Sequence, residues 1–209
     1  MFARATIDDN DVIQPKSLKN PYIFRTKEGD FGIVAIRINS DGSRDEESKG
    51  QILLWTSRDL ITFNEQKTVT LKDGVYVDQV VCQYDGENKR YKINWRDAEG
   101  KCHENILTNL TETVSISSTE LTTRCSAPCN EDFKNLNLPN GAIVGNTIPI
   151  SKKLGEKLLT EWLPLENVDV SVPAEVEIDS LEELKSVEAT AIYSDGSKPQ
   201  NRLNGMQTV

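Results

Sequence analysis

Short apolar runs and turn-forming clusters alternate through the first 110 residues, and the runs have the length and period of strands. Residues 1–19 read as polar and irregular. Asn20-Pro21 then opens a run over 22–25; proline suits the first residue of a strand because it has no N–H to donate. Thr26-Lys-Glu-Gly-Asp30 reads as a turn in which Gly29 takes positive φ. Phe31-Gly-Ile-Val-Ala-Ile-Arg37 is nearly all apolar, the pattern of a strand buried on both faces, so the two runs predict a β-hairpin. Residues 39–50 carry Asp41, Arg44, Asp45, Glu46, Glu47 and Lys49 and read as a solvated surface loop. Gln51-Ile-Leu-Leu-Trp55, 61–63 and 67–71 continue a meander of strands.

The pattern then repeats. Residues 75–84 alternate and end at Asp85-Gly86, a strong type I′ hairpin signal. Residues 90–96 return with Tyr91, Ile93 and Trp95 on one face, 97–100 turn, and 101–107 form a further short strand. Two successive units of this kind, at propeller-blade spacing, predict an all-β fold with about two blades over 1–110. Closed propellers need roughly four to eight blades. The expectation is therefore a partial propeller whose open edges are covered by the remainder of a longer chain or by another molecule.

Residues 111–150 are rich in Ser, Thr and Asn and include Pro128, Pro139 and Pro149, and 111–166 reads as a linker. Within it the spacing predicts a helix over 152–163, capped by Ser151, with Leu154, Leu158, Leu159 and Trp162 on one face. From 167 to 209 the texture is that of the start of an immunoglobulin-like sandwich. Residues 168–172, 175–178 and 187–193 alternate, Ser180-Leu-Glu-Glu183 is a capping box, and Ser194-Asp-Gly-Ser197 is a turn. Such a sandwich needs about seven strands in about 100 residues, so this module reads as cut short.

The net charge of −9 disfavours nucleic acid, whose binders carry a basic patch; here Lys and Arg are scattered among Asp and Glu. No apolar run reaches membrane-span length, and no secretory leader is visible after Met1. Hydrophobic residues make up 37% of the chain, enough for a thin core, and aromatics are few, so their positions carry information. Of the four cysteines, Cys82 and Cys102 fall in neighbouring predicted strands, where a disulfide is possible, while Cys125 and Cys129 are four apart. With His103 the one histidine, a zinc site would need both cysteine pairs to converge, and free thiols are the simpler reading. No metal and no cofactor is expected.

Several stretches carry a family resemblance. Lys16-Ser-Leu-Lys-Asn-Pro-Tyr-Ile-Phe24, Phe31-Gly-Ile-Val-Ala-Ile-Arg37, Ser48-Lys-Gly, Thr56-Ser-Arg-Asp-Leu60, Val80-Val-Cys-Gln-Tyr-Asp85 and Tyr91-Lys-Ile-Asn-Trp-Arg96 resemble propeller blades ahead of the catalytic region in large bacterial glycoside hydrolase family 43 proteins. Val172-Pro-Ala-Glu-Val and Val187-Glu-Ala-Thr-Ala-Ile-Tyr-Ser-Asp-Gly-Ser197 resemble the bacterial Ig-like domain between such blades and that region. The resemblance implies a five-bladed-type propeller, a polysaccharide or oligosaccharide partner containing arabinose or xylose, and an extracellular or cell-surface location. It also implies inverting hydrolysis by an Asp base, a Glu acid and a second Asp that tunes the acid. The base commonly sits in an Asp-Pro dipeptide at the start of the first blade. Here Asn20-Pro21 stands in that place, and an amide cannot activate water.

The carboxylates that could carry catalysis instead are Asp78 and Glu104, with Asp85 better read as a turn residue. Trp55, Tyr91 and Trp95 are candidates to stack on sugar rings or to fill the core between blades, and Arg96 to bond sugar hydroxyls or to snorkel. Three functions compete. The favoured one is a non-catalytic scaffolding or carbohydrate-binding portion of a family 43-like glycoside hydrolase. The others are an active glycosidase built on Asp78 and Glu104, and a surface adhesion module without an enzyme.

Overall fold

The computed structural model describes residues 3–121, 145–162, 165–171 and 188–193. The chain divides into two compact units, Met1–Pro149 and Ile150–Val209. Among the described residues the structure is mostly β-strand, every strand pairing is antiparallel, no sheet closes on itself, and there is one α-helix.

The first unit opens with a small hairpin, β1 (Thr6–Ile7) and β2 (Ile13–Gln14). The Asp8 carboxylate fixes its turn by accepting from the backbone N–H groups of Asn10 and Val12 and from the Gln14 amide. The stretch read as irregular is therefore ordered. β3 (Lys16–Arg25) then pairs with β4 (Phe31–Asn39), which pairs with β5 (Gln51–Ser57), which pairs with β6 (Lys67–Thr70). A second four-stranded meander follows: β7 (Val77–Asp85), β8 (Arg90–Asp97), β9 (Cys102–Leu107) and β10 (Ile116–Leu121).

Several local expectations change. Asn20-Pro21 does not start a strand but lies inside β3, at a bulge between Lys19 and Tyr22 where Asn20 has φ 50. A bulge tolerates proline because the ladder is already interrupted there. Residues 61–63 form no strand. Ser57 and Asp59 instead fold that stretch into a loop: Ser57 Oγ accepts from Leu60 N–H, and Asp59 Oδ1 from Thr62 N–H. The β7–β8 hairpin exists, but Asp85 pairs with Arg90, so four residues close it and Lys89, not Gly86, takes positive φ. β10 comes from the stretch read as linker.

The loop over 39–50 is not wholly solvated. Asp45, 2% exposed, starts a short 3-10 turn (Glu46–Ser48) and lies 3.0 Å from Lys16 Nζ and 2.5 Å from Arg37 Nε. Burial pushes its carboxyl up, but the hydrogen bonds from Lys16 and Arg37 outweigh that and hold it below the usual range. The loop is thus anchored by a buried ion cluster.

The two sheets share one core. Phe24, Val34, Ile36, Ile52, Leu54 and Val69 from the first meet Val80, Cys82, Tyr91, Ile93, Trp95 and Leu107 from the second. A second cluster, Ala3, Ile33, Ala35, Leu53 and Trp55, lies on the other face of the first sheet, with Leu60 and Phe63 packed on it. This explains the unbroken apolar run over 31–36: β4 has both faces buried. The sheets are also stitched at their ends. Thr70 N–H donates to Thr113 C=O, and Ser115 N–H returns to Thr70 C=O.

In the second unit, α1 (Lys152–Trp162) begins where Ser151 Oγ accepts from Leu154 N–H at 3.2 Å. Leu154 and Leu158 are half-buried, whereas Leu159 and Trp162 are 62% and 57% exposed. β11 (Leu165–Ser171) pairs with β12 (Glu188–Tyr193). The expected strand at 175–178, the capping box at 180–183 and the turn at 194–197 lie outside the described residues. Among the described residues, no helix is long and apolar enough to cross a membrane.

Candidate functional site

The candidate carboxylates sit on the second sheet. Asp78 is on β7 beside the bulge between Val77 and Gln79, which faces the bulge in β3. Lys19 Nζ lies 2.7 Å from one Asp78 oxygen and Arg96 Nη2 2.9 Å from the other. Asn20 donates its side-chain N–H to the Asp78 backbone carbonyl at 2.9 Å. Lys19 first, and Arg96 with it, hold the Asp78 carboxyl below its ordinary range against the opposing pull of partial burial.

A general base needs free, basic lone pairs and a general acid needs a proton near neutral pH. Asp78 is held ionised, so it does not fit the acid, and a cation bonded to each oxygen lowers its basicity. Glu104 stands opposite Asn94 on β9, with β8 between it and β7, and shares no hydrogen bond with Asp78. The same contacts occupy Arg96, read from sequence as a donor to sugar hydroxyls: its guanidinium bonds Asp78.

The candidate stacking aromatics are core residues. Trp55, Tyr91 and Trp95 are 4%, 1% and 1% exposed, so none offers a free ring face to a sugar. Trp95 Nε1–H donates to Asn105 Oδ1 at 2.8 Å, and its ring stacks on His103 at 4.1 Å. His103 Nε2 lies 2.8 Å from Asp97 Oδ2, and both side chains are buried. Burial raises the Asp97 carboxyl, but His103 and the N–H groups of Lys101 and Glu99 reverse this and leave it lowered. Asn105, fully buried, also donates to Leu71 C=O and Ser115 Oγ.

This polar core was not anticipated. Its sequence signal is the alternation along β9, where His103, Asn105 and Leu107 share the face of Trp95, Ile93 and Tyr91. Two polar residues on an apolar face mark a buried polar network, here bonded except at His103 Nδ1, which is buried without a partner.

Cys82 is a free, buried thiol, which rules out the Cys82–Cys102 disulfide. The register explains why: Cys82 pairs with Ile93 and faces the core, while Cys102 pairs with Arg96 on the other face. Cys102 is disulfide-bonded. Cys125 and Cys129 lie outside the described residues. Among the described residues no cluster of His, Cys, Asp or Glu is placed to hold a metal ion.

Compared with known protein families, with characterised proteins and with solved structures, the chain matches none.

Proposed function

We propose that this chain is a non-catalytic, scaffolding or carbohydrate-binding portion of a carbohydrate-processing protein of the glycoside hydrolase family 43 type. In this reading the two meanders are consecutive propeller blades and β11–β12 begins an Ig-like module. The partners are an arabinose- or xylose-containing polysaccharide and the further blades and catalytic region of a longer protein, at the cell surface or outside it. The observation that carries the non-catalytic part is the Asp78 junction. The best-placed carboxylate ties the first strands of the two sheets together through Lys19 and is held by Arg96 of the neighbouring strand, which supports a structural role for it. The order of the sheets, two successive four-stranded meanders, supports the blade reading.

The test is an assay of the purified chain on arabinan, arabinoxylan and nitrophenyl arabinosides, beside affinity electrophoresis in gels containing the same polymers. The expected result is retardation in at least one gel without hydrolysis. Turnover that disappears in Asp78→Ala would overturn the non-catalytic reading, and absence of retardation in every gel would overturn the binding role.

A further inference from the structure

At one end of the first unit, the β3–β4 turn meets the connection after β9. A pocket of about 210 Å³ opens there, lined by Thr26, Glu28, Asp30, Thr56, Tyr91 and Leu110 among others. Thr26 is 7% exposed, and its Oγ1 is buried without a hydrogen-bond partner. Buried hydroxyls are nearly always bonded, so an unbonded one lining a pocket points to a ligand. Tyr91 is the second donor there. Its phenolic oxygen accepts from Lys27 N–H at 3.0 Å, which leaves the phenolic proton for a further bond.

The lining also selects among ligands. Lys27 is the one cation on it, and its ammonium lies 3.3 Å from Glu28. Glu28 is thus paired with Lys27, and Asp30 with Arg58 at 3.6 Å, so the lining offers no unpaired cation to hold an anion. Hydroxyl-bearing residues, Thr26, Thr56, Tyr91 and Thr111, line it, which disfavours an apolar ligand and suits one that both donates and accepts. The volume falls below the range of drug-sized sites, roughly 300–1,000 Å³, and fits a single small ring.

We propose that this pocket binds one neutral sugar ring, free or at the end of a chain, through the hydroxyls of Thr26 and Tyr91 and the carboxylates of Glu28 and Asp30. The choice of a sugar among neutral polyols rests on the carbohydrate reading above.

Arabinose and xylose are titrated, to tens of millimolar, into the full chain and into Thr26→Val and Tyr91→Phe, with binding followed by calorimetry and saturation-transfer NMR. Thr26→Val keeps the side-chain shape, so its melting temperature is expected unchanged or raised. Loss of one hydrogen bond weakens binding about tenfold in either variant. Failure of both sugars to bind the unaltered chain, or equal binding by all three proteins, overturns the proposal and leaves Thr26 with water alone.

Affinity electrophoresis separates this from the broader reading. Polymer retardation that persists in both variants overturns the pocket and keeps carbohydrate binding. Arabinose or xylose binding that both substitutions weaken, without retardation of the unaltered chain, keeps the pocket and overturns the polysaccharide role.

Discussion

At the scale of single residues, the first unit depends on acids held ionised in or near the core. Asp45 is buried against Lys16 and Arg37, and removing one member of such a group strands the others. Asp45→Asn is expected to lower stability by about 3–5 kcal/mol, read by urea unfolding at neutral pH. The pH dependence has a defined sign. The carboxyls of Asp45, Asp78 and Asp97 are lowered by folding, so between their folded values and the unfolded value of about 4 the unfolded chain binds more protons. Their contribution is fully present above about pH 4 and is lost as pH falls through the folded values. Acid titration followed by circular dichroism is expected to show unfolding confined to pH below about 4, with a shallower acid limb in Asp45→Asn. Asp78, about a third exposed, contributes less: Asp78→Asn is expected to cost about 1 kcal/mol in the same urea unfolding. Burial pushes the Cys82 thiol well up, so it is expected to resist iodoacetamide in the folded chain and to react fully in denaturant, read by peptide mass spectrometry.

At the scale of elements, the meanders depend on a few backbone and side-chain ties between strands. Gly50 has φ +68, and a Cβ there would collide with the Lys72 carbonyl. Its own C=O accepts from Leu71 N–H, and its N–H donates to Val75 C=O, so it locks the end of β6 to the chain entering β7. Gly50→Ala combines left-handed strain with that collision and is expected to cost at least about 2 kcal/mol in thermal or urea unfolding. Asn105 performs a similar task between β9, Leu71 and the Ser115 hydroxyl, and it satisfies Trp95. Asn105→Leu leaves the indole N–H unpaired and is expected to cost about 1–3 kcal/mol, with a shift in tryptophan emission. α1 depends on its cap instead: Ser151→Ala is expected to shorten the helix by a turn, read by amide exchange.

At the scale of the whole molecule, the two sheets of the first unit bury a single core and are joined at both their first and last strands. Neither meander is expected to melt alone. A fragment covering residues 1–149 is expected to unfold in one cooperative transition, with tryptophan fluorescence and far-ultraviolet dichroism coinciding. Two separated transitions would mean that each sheet is a unit by itself. Exposed apolar side chains at Ile7, Val12 and Ile13 on the first hairpin, and at Leu159 and Trp162 on α1, lie outside this core.

The sequence by itself determined the strand-rich character, the turns at 26–30 and 97–100, the hairpin β7–β8 and the capped helix, because each follows from local period and turn chemistry. Tertiary structure decided the rest. Alternation along a strand shows which side chains share a face but not what covers it. Trp55, Tyr91 and Trp95 therefore read as sugar platforms or core until the second sheet covered Tyr91 and Trp95, and Leu60 and Phe63 covered Trp55. Asp45 looked like a solvated loop charge and Asp78 like a candidate catalytic carboxylate, because their cations come from β3, β4 and β8, tens of residues away or across a loop. β10 was hidden for a related reason: Ile-Ser-Ser-Thr-Glu-Leu has little apolar alternation and is a strand because β9 offers it an unpaired edge.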